Sequence, residues 1–269
     1  MVALWSSQID WIIQGGFSLL LDMGNAKPET LVLLPGLDGT EVFFRPLLAS
    51  LPEWVRPHVV SFPPAGATEY ADLLAIVRKA VSEIPSFYVL GSSFAGPLAL
   101  MLAEAEPDKV RGVILATTFV SPPRRIYVRM RFTSVAPTIW LLRTCRHIPV
   151  WLSRGPTDQL RVDTAEIWKR VTAHIVAARI RSLLNVDARE LLRRCPAPVL
   201  CIAGSNDGVV PWRNVEEIVR VRPSVSVRRI KGRHFAIYTN PTATMEAITA
   251  FMETKRQDEA EWGNACISL

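Results

Sequence analysis

The sequence predicts an α/β fold in which a mostly parallel sheet carries helices on both faces, with one helical insertion. Short apolar runs alternate along the chain with segments of helical hydrophobic spacing, and this alternation is typical of parallel sheets. Hydrophobic residues make up 49% of the 269 residues, which suits one globular domain with a sizeable core. The third observation is a break in the alternation between residues 121 and 187.

The predicted elements follow one another in a regular order. Strands are expected at 30–34, 59–62, 87–90, 110–116, 198–204 and 224–230, and helices at 42–50, 70–84, 97–105 and 241–252. Ligands of such sheets bind at the carboxyl ends of the strands. The turns that follow the strands are therefore the places to search for chemistry.

The most informative turn carries Ser93. The strand at 87–90 stops at Gly91, the chain turns through Ser93, and a helix rich in alanine and leucine follows. Gly91 and Ala95 lie two positions on either side, where the strand and helix backbones must approach closely; Ala95 stands where a second glycine is common. Ser92 lacks such neighbours. The pattern predicts a nucleophile elbow at Ser93, and the alternative is an ordinary strand-to-helix turn that contains a serine.

Two later turns supply an acid and a base. Asp207 follows the strand at 198–204, and His234 lies in the loop after the strand at 224–230. An aspartate in an Asn-Asp-Gly turn also has a purely structural interpretation. Since all three residues follow predicted strands, Ser93, Asp207 and His234 are expected to meet at one edge of the sheet.

The loop after the first strand, residues 35–40, predicts a backbone site for negative charge. Gly36 permits close approach, and the N–H of Leu37 would face an oxyanion together with the N–H of Phe94. The alternative is a glycine-rich turn without further function. Asp38 in this loop is interpreted as a turn or capping residue.

These motifs together resemble the α/β-hydrolase superfamily over residues 28–253. The matching segments are Leu-Pro-Gly-Leu-Asp-Gly-Thr, Gly-Ser-Ser-Phe-Ala-Gly, Gly-Ser-Asn-Asp-Gly and Gly-Arg-His-Phe. The chain order serine, acid, histidine is also that of the superfamily. Many relatives carry histidine where this chain has Pro35, so any role of that histidine side chain does not transfer.

The resemblance implies a serine hydrolase that cleaves a carboxylic ester through an acyl-enzyme and needs no cofactor or metal. Ser93 would be the nucleophile, His234 the general base and Asp207 its orienting acid. A serine at this position argues against the dehalogenase and epoxide-hydrolase chemistries, which use aspartate. An acyl thioesterase and a non-catalytic ligand sensor on the same fold stay open as alternatives.

Residues 121–187 are predicted to form a helical cap inserted into a core made of residues 1–120 and 188–269. This segment holds twelve lysines and arginines against four acids, a net charge of +8 within a chain of +6. Arg124, Arg125, Arg129 and Arg131 form its first basic group. Such a surface would attract an anionic partner, and the candidate is an acyl carrier protein, as in the similar esterases that trim the methyl ester of a pimeloyl carrier. The alternative is a solvated helical surface.

The remaining sequence features bear on the expected cellular location and binding partners. The apolar N-terminus lacks a basic flank and is interrupted by polar residues, so neither a signal peptide nor a transmembrane segment is predicted. Four cysteines without paired spacing suggest a reducing, cytoplasmic location. Nucleic acid is not an expected partner, and binding to an anionic membrane surface through the basic cap is a further alternative. The last residues, 255–269, are expected to fray.

Overall fold

The computed structural model describes residues 28–123 and 158–267, and for 255–267 the backbone only. Six parallel strands form one sheet in the order β2-β1-β3-β4-β5-β6. The strands are β1 (Glu29–Leu34), β2 (Val55–Val59), β3 (Phe87–Ser92), β4 (Val110–Ala116), β5 (Val199–Gly204) and β6 (Ser226–Ile230). An α/β fold with a parallel sheet, as predicted, is confirmed.

The nine α-helices of the described residues are numbered here in chain order. They are α1 (Arg45–Leu48), α2 (Tyr70–Ala80), α3 (Gly96–Ala105), α4 (Asp158–Arg170), α5 (Ala173–Leu184), α6 (Arg189–Arg194), α7 (Arg213–Val221), α8 (Ala236–Thr239) and α9 (Pro241–Ile267). Two 3₁₀ turns, Val42–Phe44 and Ser93–Ala95, precede α1 and α3.

Alternate residues of the central strands enter different cores on the two faces of the sheet. In β1, Val32 and Leu34 pack on one face with α2 and α3, while Leu31 and Leu33 pack on the other with α1 and α9. Because both faces are covered, the inner strands are largely apolar.

Helices α4 and α5 fall within the segment predicted as a cap. Ile167 of α4 and Val176 of α5 share a third apolar cluster with Val42, which follows β1. The two helices therefore pack against each other and against the loop region at the carboxyl end of β1. The boundaries predicted for the cap stay a prediction.

Some element boundaries differ from the sequence predictions. The second strand is Val55–Val59 instead of 59–62, because β2 lies at the edge of the sheet and is selected by pairing with β1; exposed Arg56 and Pro57 hide its pattern. The helix expected at 42–50 is a 3₁₀ turn followed by one α-helical turn. At the other end, α9 continues to Ile267, beyond the helix expected at 241–252.

Among the residues that the structure describes, no helix is both long enough and apolar enough to cross a membrane. In the same residues, no three histidines, cysteines or acids are grouped as a metal site would require.

Candidate functional site

Ser93 occupies the strained turn that the sequence predicts. Its φ is +49°, a left-handed conformation that residues other than glycine rarely adopt. The turn is tight, since a Cβ on Gly91 would overlap the carbonyl oxygen of Ala95. Strand β3 and helix α3 thus hold the Ser93 hydroxyl at the carboxyl end of the sheet.

A continuous hydrogen-bond chain links the three predicted side chains. Ser93 Oγ lies 2.9 Å from His234 Nε2, and His234 Nδ1 lies 2.8 Å from Asp207 Oδ2. The Asp207 side chain is 3% exposed and that of His234 is 10% exposed. The structure therefore brings together residues that are separated by up to 141 positions in sequence.

Asp207 is itself fixed by the turn that carries it. Its Oδ1 accepts the backbone N–H groups of Val209 and Val210 at 2.8 and 2.9 Å, which leaves Oδ2 for the histidine. The neighbouring Asn206 N–H donates to the Gly232 carbonyl at 2.8 Å. This bond ties the aspartate turn to the histidine loop.

The loop after β1 lies directly against the serine. A Cβ built on Gly36 would stand 3.7 Å from Ser93 Cβ. In the described residues no acceptor takes the Leu37 N–H. The Phe94 N–H belongs to the first turn of a helix, where N–H groups have no partner within the helix. Both predicted backbone donors are thus next to Ser93.

Arg179 of α5 holds this loop from behind, and sequence analysis did not single it out. Its side chain is fully buried, and its guanidinium donates to Leu37 O at 2.8 Å and to Pro63 O at 2.9 Å. Gly39 has φ +73°, and a Cβ there would lie 2.5 Å from Arg179 Nη1. Its sequence signal is hidden, because an arginine in a basic helical segment resembles a surface residue.

Asp38 shapes the same loop, as its interpretation as a turn residue predicts. Its Oδ2 accepts the Thr40 N–H at 2.9 Å and the Thr40 hydroxyl at 2.6 Å. Burial raises the pKa of the Asp38 carboxyl, while the bonds from Thr40 and the charge of Arg179 oppose that rise.

The serine and histidine open into a cavity of about 290 Å³. Its wall is largely apolar, and the described residues that supply apolar surface include Leu37, Phe43, Phe44, Ile167, Trp168, Val176, Ile180, Val209, Phe235 and Ile237. Four of these residues come from α4 and α5. The two helices thus cover the site, as a cap would.

Thr117 is a second strained residue at the cavity wall that the sequence does not reveal. It follows β4 with φ +46°, beside Ser93, because Ser92 and Ala116 are paired in the sheet. Positive φ is a genuine outlier for a β-branched residue. The basic group of Arg124, Arg125, Arg129 and Arg131 lies outside the described residues.

Known proteins of similar sequence cover most of the chain. A relative from Caulobacter segnis, provisionally named carbamate hydrolase RutD, is 22% identical over 85% of this chain and 92% of its own length. A relative of the same name from Yersinia enterocolitica is 24% identical over 79% of this chain and 83% of its own.

Solved structures show the same fold. A carboxylesterase from Nitrososphaera gargenis has a TM-score of 0.71 at 19% identity, covering 87% of this chain and 93% of its own. An esterase from Exiguobacterium antarcticum has a TM-score of 0.71 at 15% identity, covering 84% and 92%.

The family assignment comes from the match to a family model. The model of the alpha/beta hydrolase family matches residues 31–247, which include most of β1, the serine turn, the aspartate turn and the histidine loop. The chain therefore belongs to the alpha/beta hydrolase family and is a hydrolase.

Proposed function

We propose that the protein is a serine hydrolase that cleaves a carboxylic ester through an acyl-enzyme. The observation that carries the proposal is the chain of hydrogen bonds from Ser93 through His234 to Asp207 at the wall of an apolar cavity. A nucleophile, a base within hydrogen-bond reach and an orienting acid are the parts that such catalysis requires.

In the acylation step, Ser93 Oγ attacks the ester carbonyl carbon and His234 Nε2 accepts the hydroxyl proton. The 2.9 Å separation of Oγ and Nε2 is within the range for direct proton transfer. The carbonyl oxygen takes the negative charge, and the N–H groups of Leu37 and Phe94 stabilise it. His234 then returns its proton to the leaving oxygen as the ester bond breaks.

Asp207 orients the base in this mechanism. Its contact with Nδ1 keeps the proton on that nitrogen and leaves Nε2 free to accept. Because the backbone N–H groups of Val209 and Val210 hold the carboxylate, the imidazole keeps one orientation through the proton transfers.

Deacylation uses the same groups with water as the nucleophile. His234 removes a proton from the water, the hydroxide attacks the acyl carbon, and Ser93 leaves with its proton restored by His234. The chemistry is identical when the first leaving group is a thiol, so an acyl thioesterase is the alternative that shares every residue of the site.

The cavity favours an uncharged acyl group of modest size. Its volume of about 290 Å³ is at the small end of ligand pockets, and most of its wall is apolar. The carrier-protein part of the proposal, with an acyl carrier protein docked on the basic cap, depends on the net charge of +8 over residues 121–187. A cytoplasmic location belongs to the same proposal.

Substitution Ser93→Ala tests the proposal, because it removes the nucleophile and leaves the cavity wall in place. We expect hydrolysis of p-nitrophenyl esters of increasing chain length to fall by about 10⁶-fold in kcat. Ser92→Ala is the matched control: its hydroxyl is next in sequence but is not bonded to His234, and this variant retains turnover.

Near-wild-type hydrolysis by Ser93→Ala would overturn the proposal. Thermal stabilisation of the wild type by acyl ligands without turnover of any ester or thioester would favour the non-catalytic sensor instead.

A further inference from the structure

The two oxygens of the Asp38 carboxyl are used unequally. Oδ2 accepts both hydrogen bonds from Thr40, at 2.9 and 2.6 Å. No other residue within 28–123 or 158–254 donates to Oδ1. Both Thr40 bonds therefore use Oδ2. The carboxyl also contacts its own backbone N–H, and Oδ1 keeps a lone pair for a further donor.

The second oxygen is near the serine. Oδ1 lies 3.4 Å from the position that a Cβ on Gly36 would occupy, and that position is 3.7 Å from Ser93 Cβ. Asp38 lines the cavity together with Ser93 and His234. It also follows Leu37, whose N–H is the proposed oxyanion donor.

Asp38 is the only acid among the described residues that line the cavity. Two other polar groups of the wall are already engaged: the Thr164 hydroxyl donates to Leu160 O at 2.7 Å, and Tyr238 Oη donates to Asp163 at 2.7 Å. A carboxylate that lines an apolar cavity can accept a further hydrogen bond from a ligand or from water.

Arg179 offsets the charge of this carboxylate from the far side of the loop. The guanidinium is buried, and no carboxylate oxygen of the described residues lies within ion-pairing distance of it. Burial raises the pKa of the Asp38 carboxyl, and the bonds from Thr40 and then the charge of Arg179 oppose that rise. The guanidinium therefore favours the anionic form of an acceptor beside the proposed oxyanion site.

We infer that Asp38 Oδ1 accepts a hydrogen bond from an N–H or O–H donor on the atom attached to the scissile carbonyl carbon. This assigns the substrate class as acyl groups with such a donor, for example a 2-hydroxyacyl ester. It depends on the proposed function, because the bond is useful only when the acyl carbon is at Ser93. An anionic substituent at the same position would be repelled.

Three phenyl esters test the inference in the wild type: acetate, glycolate and methoxyacetate. Glycolate and methoxyacetate activate the carbonyl similarly, but only glycolate has the O–H donor. We expect kcat/KM for glycolate to exceed that for methoxyacetate by about 10- to 100-fold, the range for a hydrogen bond to a charged acceptor. Equal values would overturn the inference.

Asp38→Asn sharpens the test. The amide oxygen must stay with the two Thr40 donors, so the amide NH₂ takes the place of Oδ1 and turns an acceptor into a donor. The glycolate-to-methoxyacetate ratio should fall to about one or below. Asp72→Asn, which removes one exposed carboxylate on α2, is the matched control and should keep the wild-type ratio.

A binding measurement separates the inference from the proposed function. Ser93→Ala should bind phenyl glycolate more tightly than phenyl methoxyacetate by calorimetry, and equal affinities would contradict the role of Asp38. Rapid hydrolysis of all three esters by Ser93→Ala would contradict the proposed function instead.

Discussion

The two sides of the site are held by different parts of the molecule. Ser93, Asp207 and His234 lie at the ends of β3, β5 and β6, and short turns within the sheet region fix them. The loop at 35–40 begins at the end of β1, but its shape depends on Arg179, which is 142 residues from Leu37 in sequence and belongs to α5.

The difference shows how a candidate site can be divided between a sheet and the helices that cover it. The side of the proposed nucleophile depends on backbone turns that local sequence encodes. The side of the proposed oxyanion donors depends on one long side chain that crosses from a covering helix. Damage to the sheet side should stop chemistry, whereas damage to the loop side should weaken stabilisation of the transition state.

The largest effect among these comparisons is expected for Asp207→Asn on the sheet side. The amide oxygen can keep the bonds from Val209 and Val210, but the NH₂ group cannot accept a hydrogen bond from Nδ1–H, so His234 loses its reactive tautomer. We expect kcat to fall by about 10⁴-fold with unfolding stability changed little. A steady-state assay measures kcat, and urea denaturation measures the unfolding stability. A decrease in kcat of less than tenfold would contradict a catalytic role for Asp207.

Arg179→Met breaks the loop side and should have the second largest effect. It removes the bonds to Leu37 O and Pro63 O while keeping most of the side-chain volume. Loss of an oxyanion donor costs about 10²- to 10³-fold in kcat. Because Arg179→Met displaces the loop without deleting the donor, we expect kcat to fall by about 10²-fold and KM to change less. Stopped-flow acylation kinetics with p-nitrophenyl esters gives the acylation rate directly.

Two further variants show whether Arg179 positions the loop or only stabilises the fold. Arg179→Lys, with one ammonium in place of a planar fork, should recover part of kcat. Arg181→Met, on the same helix, should keep wild-type kcat. If Arg179→Met lowers stability while kcat per folded molecule is unchanged, the positioning role is wrong.

The smallest effects are expected for two tyrosines, one in contact with each side of the site. Tyr70 Oη donates to the Phe94 carbonyl in the serine turn at 2.8 Å, and Tyr238 Oη donates to the buried Asp163 carboxylate of α4 at 2.7 Å. Because bonds to charged groups are stronger, Tyr238→Phe should cost about 2–3 kcal/mol of unfolding free energy and Tyr70→Phe about 1 kcal/mol. Chemical denaturation measures both, and a larger loss for Tyr70→Phe would contradict the difference.

The sequence predicts the parallel sheet and the turn at Ser93 because their signals are local. A buried parallel strand such as β5 appears as an unbroken apolar run, and the turn at Ser93 needs small residues at fixed positions. The edge strand β2 has no such pattern. It exposes Arg56 and Pro57, and its position is set by hydrogen bonds to β1 that local sequence does not record.

The sequence by itself determined the α/β class, the chain order of serine, acid and histidine, and the glycine-bearing loop beside them. Only the tertiary structure decided that Arg179 is buried behind that loop and that Asp38 lines the cavity with Ser93. The physical reason is the range of the interactions. Strand and turn preferences act over a few residues, whereas burial and hydrogen bonding of a charged side chain depend on groups brought together from distant parts of the chain.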